Sequence, residues 1–150
     1  MKGILKSKEQ YIPKNPEKYK GRYPIYIKSS WERLFCQWID VNTNVISWSS
    51  EAHIIPYYDP VQMKNRRYFP DFWMKVKTKD GFEEYLIEIK PKKETKPPRN
   101  SGNKSKKTKL HQEATWLTNK AKFEAAENYC RKMGYIFKLI TEEQLFVKRK

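Results

Sequence analysis

Two periods of apolar and polar positions divide this chain into elements. From Ser30 to about Asp40, the residues Trp31, Leu34, Phe35 and Trp38 fall at three- and four-residue steps, which predicts a helix packed through large side chains. Ser29-Ser-Trp-Glu32 fits the capping box that satisfies the orphan amides of a helix start. Val45 to Trp48 and Ile54 to Tyr58 read as short strands after the turn residues Asn42-Thr-Asn44 and before Asp59-Pro60. Gln62 to Arg67 reads as a polar connector. In Phe72 to Lys77 the period becomes two, with Phe72, Met74 and Val76 alternating with Trp73, Lys75 and Lys77. After a turn at Lys79-Asp80-Gly81, Tyr85, Ile87 and Ile89 take one face of a second arm, leaving Leu86, Glu88 and Lys90 on the other. From Lys109 the apolar residues Leu110, Ala114, Leu117, Ala121, Ala125, Tyr129 and Met133 predict a long helix that Gly134 ends as a left-handed cap. Tyr135 to Ile140 is then a strand, and Thr141 opens a short terminal helix. This order predicts an α/β fold, a mixed sheet flanked by helices.

The hairpin carries polar groups that a hydrophobic hairpin does not need. If its arms pair across Asp80-Gly81, Asp71 lies level with Glu88 to Lys90, so two carboxylates and an ammonium converge at one sheet edge. Two such carboxylates repel unless a cation lies between them. Mg²⁺, with Mn²⁺ as a substitute, suits carboxylate oxygens, waters and substrate phosphate. The candidate ligands are Asp71, Glu88 and the backbone carbonyl of Ile89, with Lys90 placed to orient water or neutralise developing charge. Glu32 has two candidate roles, helix cap or site carboxylate, and spacing alone favours the cap. His53, alone between apolar neighbours, reads as structural rather than as a ligand or base.

Charge changes the picture next. The 150 residues include 32 Lys and Arg against 17 Asp and Glu, a formal net charge of +15, which points to a polyanion, most commonly nucleic acid. Arg66 and Arg67 directly precede the proposed site. Residues 91–108 are nearly devoid of apolar side chains and read as a flexible basic loop, with Lys92, Lys93, Lys104, Lys106 and Lys107 as DNA contacts. Lys120, on the long helix, is a further candidate. Residues 1–28, rich in Lys, Tyr and Pro, read as a basic extended arm ahead of a domain spanning 29–150. Hydrophobic residues make up 38% and aromatics 15%, so the core is expected to be aromatic-rich. No apolar run is long enough for a membrane span, the amino terminus lacks a signal peptide's hydrophobic region, and no membrane partner is expected. Cys36 and Cys130 read as buried free thiols, and no Cys or His pair has zinc spacing. The expected location is a reducing cytoplasm, not a secreted one.

Pro70-Asp71 followed across the hairpin by Glu88-Ile89-Lys90 resembles the motif of the PD-(D/E)xK nuclease superfamily. The Ser-Trp-Glu-Arg-Leu-Phe helix, the Phe-Pro-Asp-Phe strand, the long helix and the closing Gly-Tyr-x-Phe-x-x-Ile-Thr-Glu-Glu-x-Leu are similar to the TnsA-type transposon endonuclease core. The resemblance implies a restriction-endonuclease-like fold and Mg²⁺-dependent cleavage of double-stranded DNA leaving 5′-phosphate ends. It also raises Glu32 to a third acidic site residue. The compact, lysine-rich chain as a whole resembles nucleases of T-even-type phages. That likeness implies action on packaged DNA during head assembly in the host cytoplasm, with portal or neck proteins as further partners and association with the virion left open. In one departure, TnsA-type sites have Gln where this chain has Glu88.

Two other readings fit the same residues: a non-catalytic DNA-binding head or neck protein with a structural charge cluster, and a structure-specific nuclease acting on branched DNA. One site per chain would favour a dimer or two successive nicks for cutting both strands.

Overall fold

The structure, a computed structural model, describes residues 4–99 and 102–146, with side chains from residue 9 onward. Part of the basic loop, at 100–101, and residues 147–150 of the expected domain therefore lie outside the described residues. At the centre stands a four-stranded mixed sheet in the order β3-β6-β7-β8, formed by β3 (Val45–Ser50), β6 (Phe72–Thr78), β7 (Gly81–Ile89) and β8 (Ile136–Ile140). Only β7 and β8 run parallel, which the long helix between them requires. The predicted hairpin is β6–β7, closed by Lys79-Asp80, with Thr78 opposite Gly81. Gly81 is thus the first strand residue, at φ 150°, rather than part of the two-residue loop.

Each sheet face has its own core, as period-two strands dictate. On one face, Phe72, Met74, Ile87 and Ile89 pack against helix α1 (Ser30–Val41) through Trp31, Phe35, Cys36 and Ile39. The buried apolar stripe of α1 is therefore Trp31, Phe35, Cys36 and Ile39. Leu34 and Trp38, predicted for it, are turned to its margin, 39% and 46% exposed, because residues one position before Phe35 and Ile39 are rotated about 100° around the axis. On the other face, Leu86 and Trp73 meet Ala126 and Cys130 of α2 (Lys106–Met133) and a second hairpin, β4 (Ile55–Asp59) and β5 (Lys64–Tyr68). The polar connector expected at 62–67 is thus largely strand β5, whose exposed polar side chains hid its period.

Helix α2 begins three residues earlier than expected, because Ser105 caps it by accepting from the Thr108 amide at 3.1 Å. Its amino-terminal part runs past the sheet, which leaves Leu110 and Leu117 of the predicted stripe exposed. Gly134 ends it at φ 77°. Thr141 caps α3 (Glu142–Leu145) in a complete capping box with Gln144. Both cysteines are buried free thiols.

Instead of a bare extended arm, residues 4–29 form an antiparallel ribbon of β1 (Ile4–Tyr11) and β2 (Ile25–Ser29), joined through a short 3-10 turn at Pro16–Lys18. Tyr19, Ile25 and Ile27 enter the α1-side core, where Tyr19 meets the fully buried Trp48 edge-on at 4.7 Å. Prolines at 13, 16 and 24 masked this strand pattern. Among the described residues, no helix is long and apolar enough to cross a membrane.

Candidate active site

The site forms where three elements end together. Phe72 pairs with Ile87, so one step further Asp71 stands opposite Glu88. The Asp71 carboxylate accepts from the Ile89 amide at 2.8 Å, which fixes it against β7. Ser29 ends β2 and caps α1 by accepting from the Glu32 amide at 3.2 Å, while its hydroxyl lies 3.3 Å from Glu32 Oε2. Glu32 is thus held at the cap yet buried toward the site, only 4% exposed. The capping interaction and the site position coexist.

The third acid comes from the end of β3. Ser50 pairs with Phe72, so the next residue, Glu51, reaches Asp71, and its amide donates to the Asp71 carbonyl at 3.0 Å. Glu51 adopts φ 50°, a left-handed conformation that disfavours any residue with a Cβ and that recurs at functional sites. Glu32, Glu51 and Asp71 bring carboxylate oxygens within 4.8 Å of one another. Three such carboxyl groups, two of them buried, form an oxygen-only donor set that fits a hard divalent cation.

Cations ring this floor. Lys28 is paired with Glu51. Burial works against its charge, but the hydrogen bond to Glu51 and the carboxylates of Glu51, Glu32 and Asp71 outweigh it and raise its pKa. Lys90 Nζ lies 3.6 Å from Glu88 Oε2, and Tyr68 donates its hydroxyl to Glu88 Oε1 at 2.8 Å. Burial, then the Glu88 carboxylate, pushes the Tyr68 phenol far up, so it stays a donor. Lys122 of α2 lies over the rings of Tyr57 and Tyr68, at 6.0 and 5.6 Å. Burial, then the neighbouring Lys90, lowers its pKa. Arg67 stacks over Phe69 at 5.6 Å. Glu32, Asp71, Glu88, Lys90, Arg67 and Lys122 share the wall of one cavity of about 360 Å³.

The structure therefore brings together Glu32, Asp71, Glu88 and Lys90, with Arg67 beside them. The compact trio takes in Glu51, while Glu88 stands next to it with Tyr68 and Lys90. Arg66 points away, 3.7 Å from Asp59 and 2.6 Å from Gln62, because successive strand residues face opposite sides. Lys120 is exposed and outside the cavity. Lys122 faces it instead, two positions or about 200° further around the helix. Lys92 lies in a 3-10 turn, Lys92–Thr95, and pairs with Glu143, and Lys106 and Lys107 are exposed in the first turn of α2. Lys93 and Lys104 line a second cavity further along α2. His53 is structural: its ring meets Tyr129 Oη at 3.1 Å and packs near Trp73 and Tyr135. Burial lowers its pKa.

A mixed sheet with acids at the ends of β3 and β6 and an Asp/Glu-x-Lys pair across a hairpin defines a nuclease core, and family comparison agrees. Residues 42–142 match the model of the TnsA-like endonuclease N-terminal domain, and the chain belongs to that family. It is a phosphodiester hydrolase of the endonuclease type. Over 140 residues, 91% of each chain, it is 40% identical to the head completion nuclease of Enterobacteria phage T4.

Proposed function

We propose that this protein is a Mg²⁺-dependent DNA endonuclease that processes packaged DNA ends while phage heads are completed, with Mn²⁺ able to substitute. The observation that carries this reading is the convergence of Glu32, Glu51, Asp71, Glu88 and Lys90 under a rim of Lys28, Arg67 and Lys122. Likeness to a nuclease named for head completion supports the setting, and portal or neck proteins are the proposed protein partners.

Glu32, Glu51 and Asp71, joined by Glu88 and the Ile89 carbonyl, are the proposed ligands of a divalent cation, which would supply Lewis acidity toward the phosphodiester and would make water a stronger acid. The chain's own residues do the rest. Lys90 holds a proton at Nζ, kept in place by Glu88, and stabilises charge developing on the phosphoryl oxygens. Tyr68 fixes Glu88, so that Lys90 keeps its position. Arg67 and Lys122 receive the phosphate, the first with a planar fork and the second as a point charge. Lys92, Lys93, Lys104, Lys106, Lys107, Lys120 and Arg66 extend the basic surface along the duplex.

The test is nicking of supercoiled plasmid with and without Mg²⁺ by wild type, Asp71→Ala and Glu88→Ala. Wild type should nick only with the cation, and both variants should bind plasmid but leave it intact. Binding without nicking by wild type would instead favour a non-catalytic DNA-binding protein.

A further inference from the structure

A second cavity, of about 820 Å³, lies between the 3-10 turn after β7 and the amino-terminal half of α2. Its composition differs from that of the active site. The acids that crowd the first cavity are replaced here by Lys93, Lys96, Arg99 and Lys104, against the single carboxylate of Glu94. Trp116 supplies an aromatic face in the wall. Asn119 is only 4% exposed, and its Nδ2 amide has no hydrogen-bond partner among the described residues. A buried N–H donor left unpaired is costly, and such groups in a folded protein call for an explanation. A ligand acceptor would satisfy it.

The two cavities are lined by neighbouring residues of the same two segments. Lys90 lines the first and Lys92 the second, two residues further along the chain. On α2, Lys122 lines the first and Asn119 the second, three residues apart or about 4.5 Å along the axis. Successive nucleotides of a DNA strand are about 3.4 Å apart along the axis. A strand crossing the active site would therefore reach Asn119 within one or two nucleotides. A cationic rim for phosphate, an aromatic face for stacking and a buried donor for a base acceptor are the parts of a site for unpaired nucleotides.

We infer that the second cavity holds an unpaired nucleotide of the DNA strand next to the scissile phosphate, its base against Trp116 and an acceptor edge on Asn119 Nδ2. This rests on the nuclease reading for its setting, but not for its test. A paired base cannot enter, so the site selects DNA carrying a single-stranded segment beside duplex.

Binding is measured by fluorescence anisotropy in EDTA, where no cleavage contributes, with a blunt duplex and the same duplex bearing a short oligothymidine tail. Wild type should bind the tailed duplex about tenfold more tightly, the scale of one stacked base. Trp116→Ala should reduce the ratio of the two affinities toward one. Trp116→Phe, which keeps a stacking face, should retain most of it. Asn119→Asp, which removes the donor at constant shape, should also lower the ratio, with a melting curve showing that the variant is folded. Equal wild-type affinities, or a ratio unmoved by both Trp116→Ala and Asn119→Asp, would overturn the inference. So would full competition by free thymidine monophosphate, which would make this a site for free nucleotides. A protein that prefers the tailed duplex but never nicks plasmid would keep this site and lose the nuclease reading. One that nicks with no such preference would do the reverse.

Discussion

Two groups of buried acids stand at opposite ends of α1, and they are built in opposite ways. Asp40, near the carboxyl end, is fully buried and surrounded by donors of its own chain. Tyr11 Oη donates to it at 2.6 Å, and the Lys14 and Asn15 amides donate at 2.7 and 3.1 Å. The Lys18 ammonium sits on the carbonyls of Ile39, Asp40 and Asn42, where the helix dipole favours a cation. At the amino end, Glu32 joins Glu51 and Asp71, three carboxylates whose charges face one another. The first acid ties the β1–β2 ribbon to the helix. The second group holds charge that the fold concentrates rather than spreads. Burial of an acid is therefore uninformative by itself, and what separates the roles is whether the acid is surrounded by donors alone or shares its surroundings with other carboxylates: Lys28 pairs with Glu51 and the Ile89 amide with Asp71, yet the three acids still converge.

The largest expected effect follows at the amino end. Asp71→Asn should lower Mg²⁺-dependent nicking by at least about a hundredfold, the scale of losing one preorganised electrostatic element, while raising the melting temperature as like charges are removed. Glu51→Gly sharpens this, since glycine accepts φ 50° without strain. It should keep or raise thermal stability and abolish most nicking. A Glu51→Gly protein as active as wild type would remove Glu51 from the site.

The converse holds at the carboxyl end. Asp40→Ala leaves Tyr11 Oη and two backbone amides without their acceptor and should destabilise by about 3 kcal/mol, or roughly 10 °C for a domain of this size. Loss should follow pH in a definite direction. Burial pushes the Asp40 carboxyl up, but the hydrogen bonds from Tyr11, Lys14 and Asn15 outweigh it and hold it below the usual carboxylate range. The folded state therefore releases this proton more readily than the unfolded chain, whose value is about 3.9. Its stabilisation is complete above that value and is lost as pH falls through the lower folded one. In melting curves from pH 7 to pH 3, the gap between wild type and Asp40→Asn should narrow only below about pH 4. A gap that closes near pH 6 would mean another group dominates.

How much of this contrast could be read from the sequence depends on whether it was local or topological. Asp71, Glu88 and Lys90 were legible because one hairpin register places them together, and the turn residues nearly fix that register. Glu32 is visible through its cap but ambiguous, because a cap and a site acid have the same spacing; in the fold Ser29 caps the helix through the Glu32 amide while the Glu32 carboxylate lies beside those of Glu51 and Asp71. Glu51 was not visible, since nothing near Ser49-Ser50-Glu51 announces that β3 pairs with β6 and ends beside Asp71. Lys122 lines the cavity and Lys120 does not, a difference the sequence does not mark, because a helix full of lysines has no periodic sign of the face that meets a sheet. The ribbon at 4–29 was hidden by prolines and by partners far along the chain, such as Trp48 and Asp40.

Lys122 offers a smaller effect. Burial and Lys90 disfavour its charge more than Glu88 and Asp59 favour it, an imbalance that a bound phosphate would relieve. Lys122→Met should raise the melting temperature by a few degrees and weaken nicking by about tenfold, mainly through substrate affinity. Nicking as strong as wild type at every DNA concentration would place the phosphate contact elsewhere.

The smallest effect uses Cys36, which lies between the two groups. Burial, then the charges of Glu32, Asp40 and Asp71, pushes its thiol far above the ordinary range, so native protein should resist iodoacetamide at neutral pH. Because burial is the leading cause, removing one charge should change little unless packing opens as well. Asp71→Asn should therefore leave Cys36 unlabelled, whereas Asp40→Asn, by releasing the ribbon, should let labelling proceed several times faster. Peptide mapping separates this signal from Cys130, whose thiol burial pushes up to about 11. Equal acceleration in both variants would mean that Asp71 also ties the fold together, and the division between a holding acid and a working one would fail at the residue where it matters most.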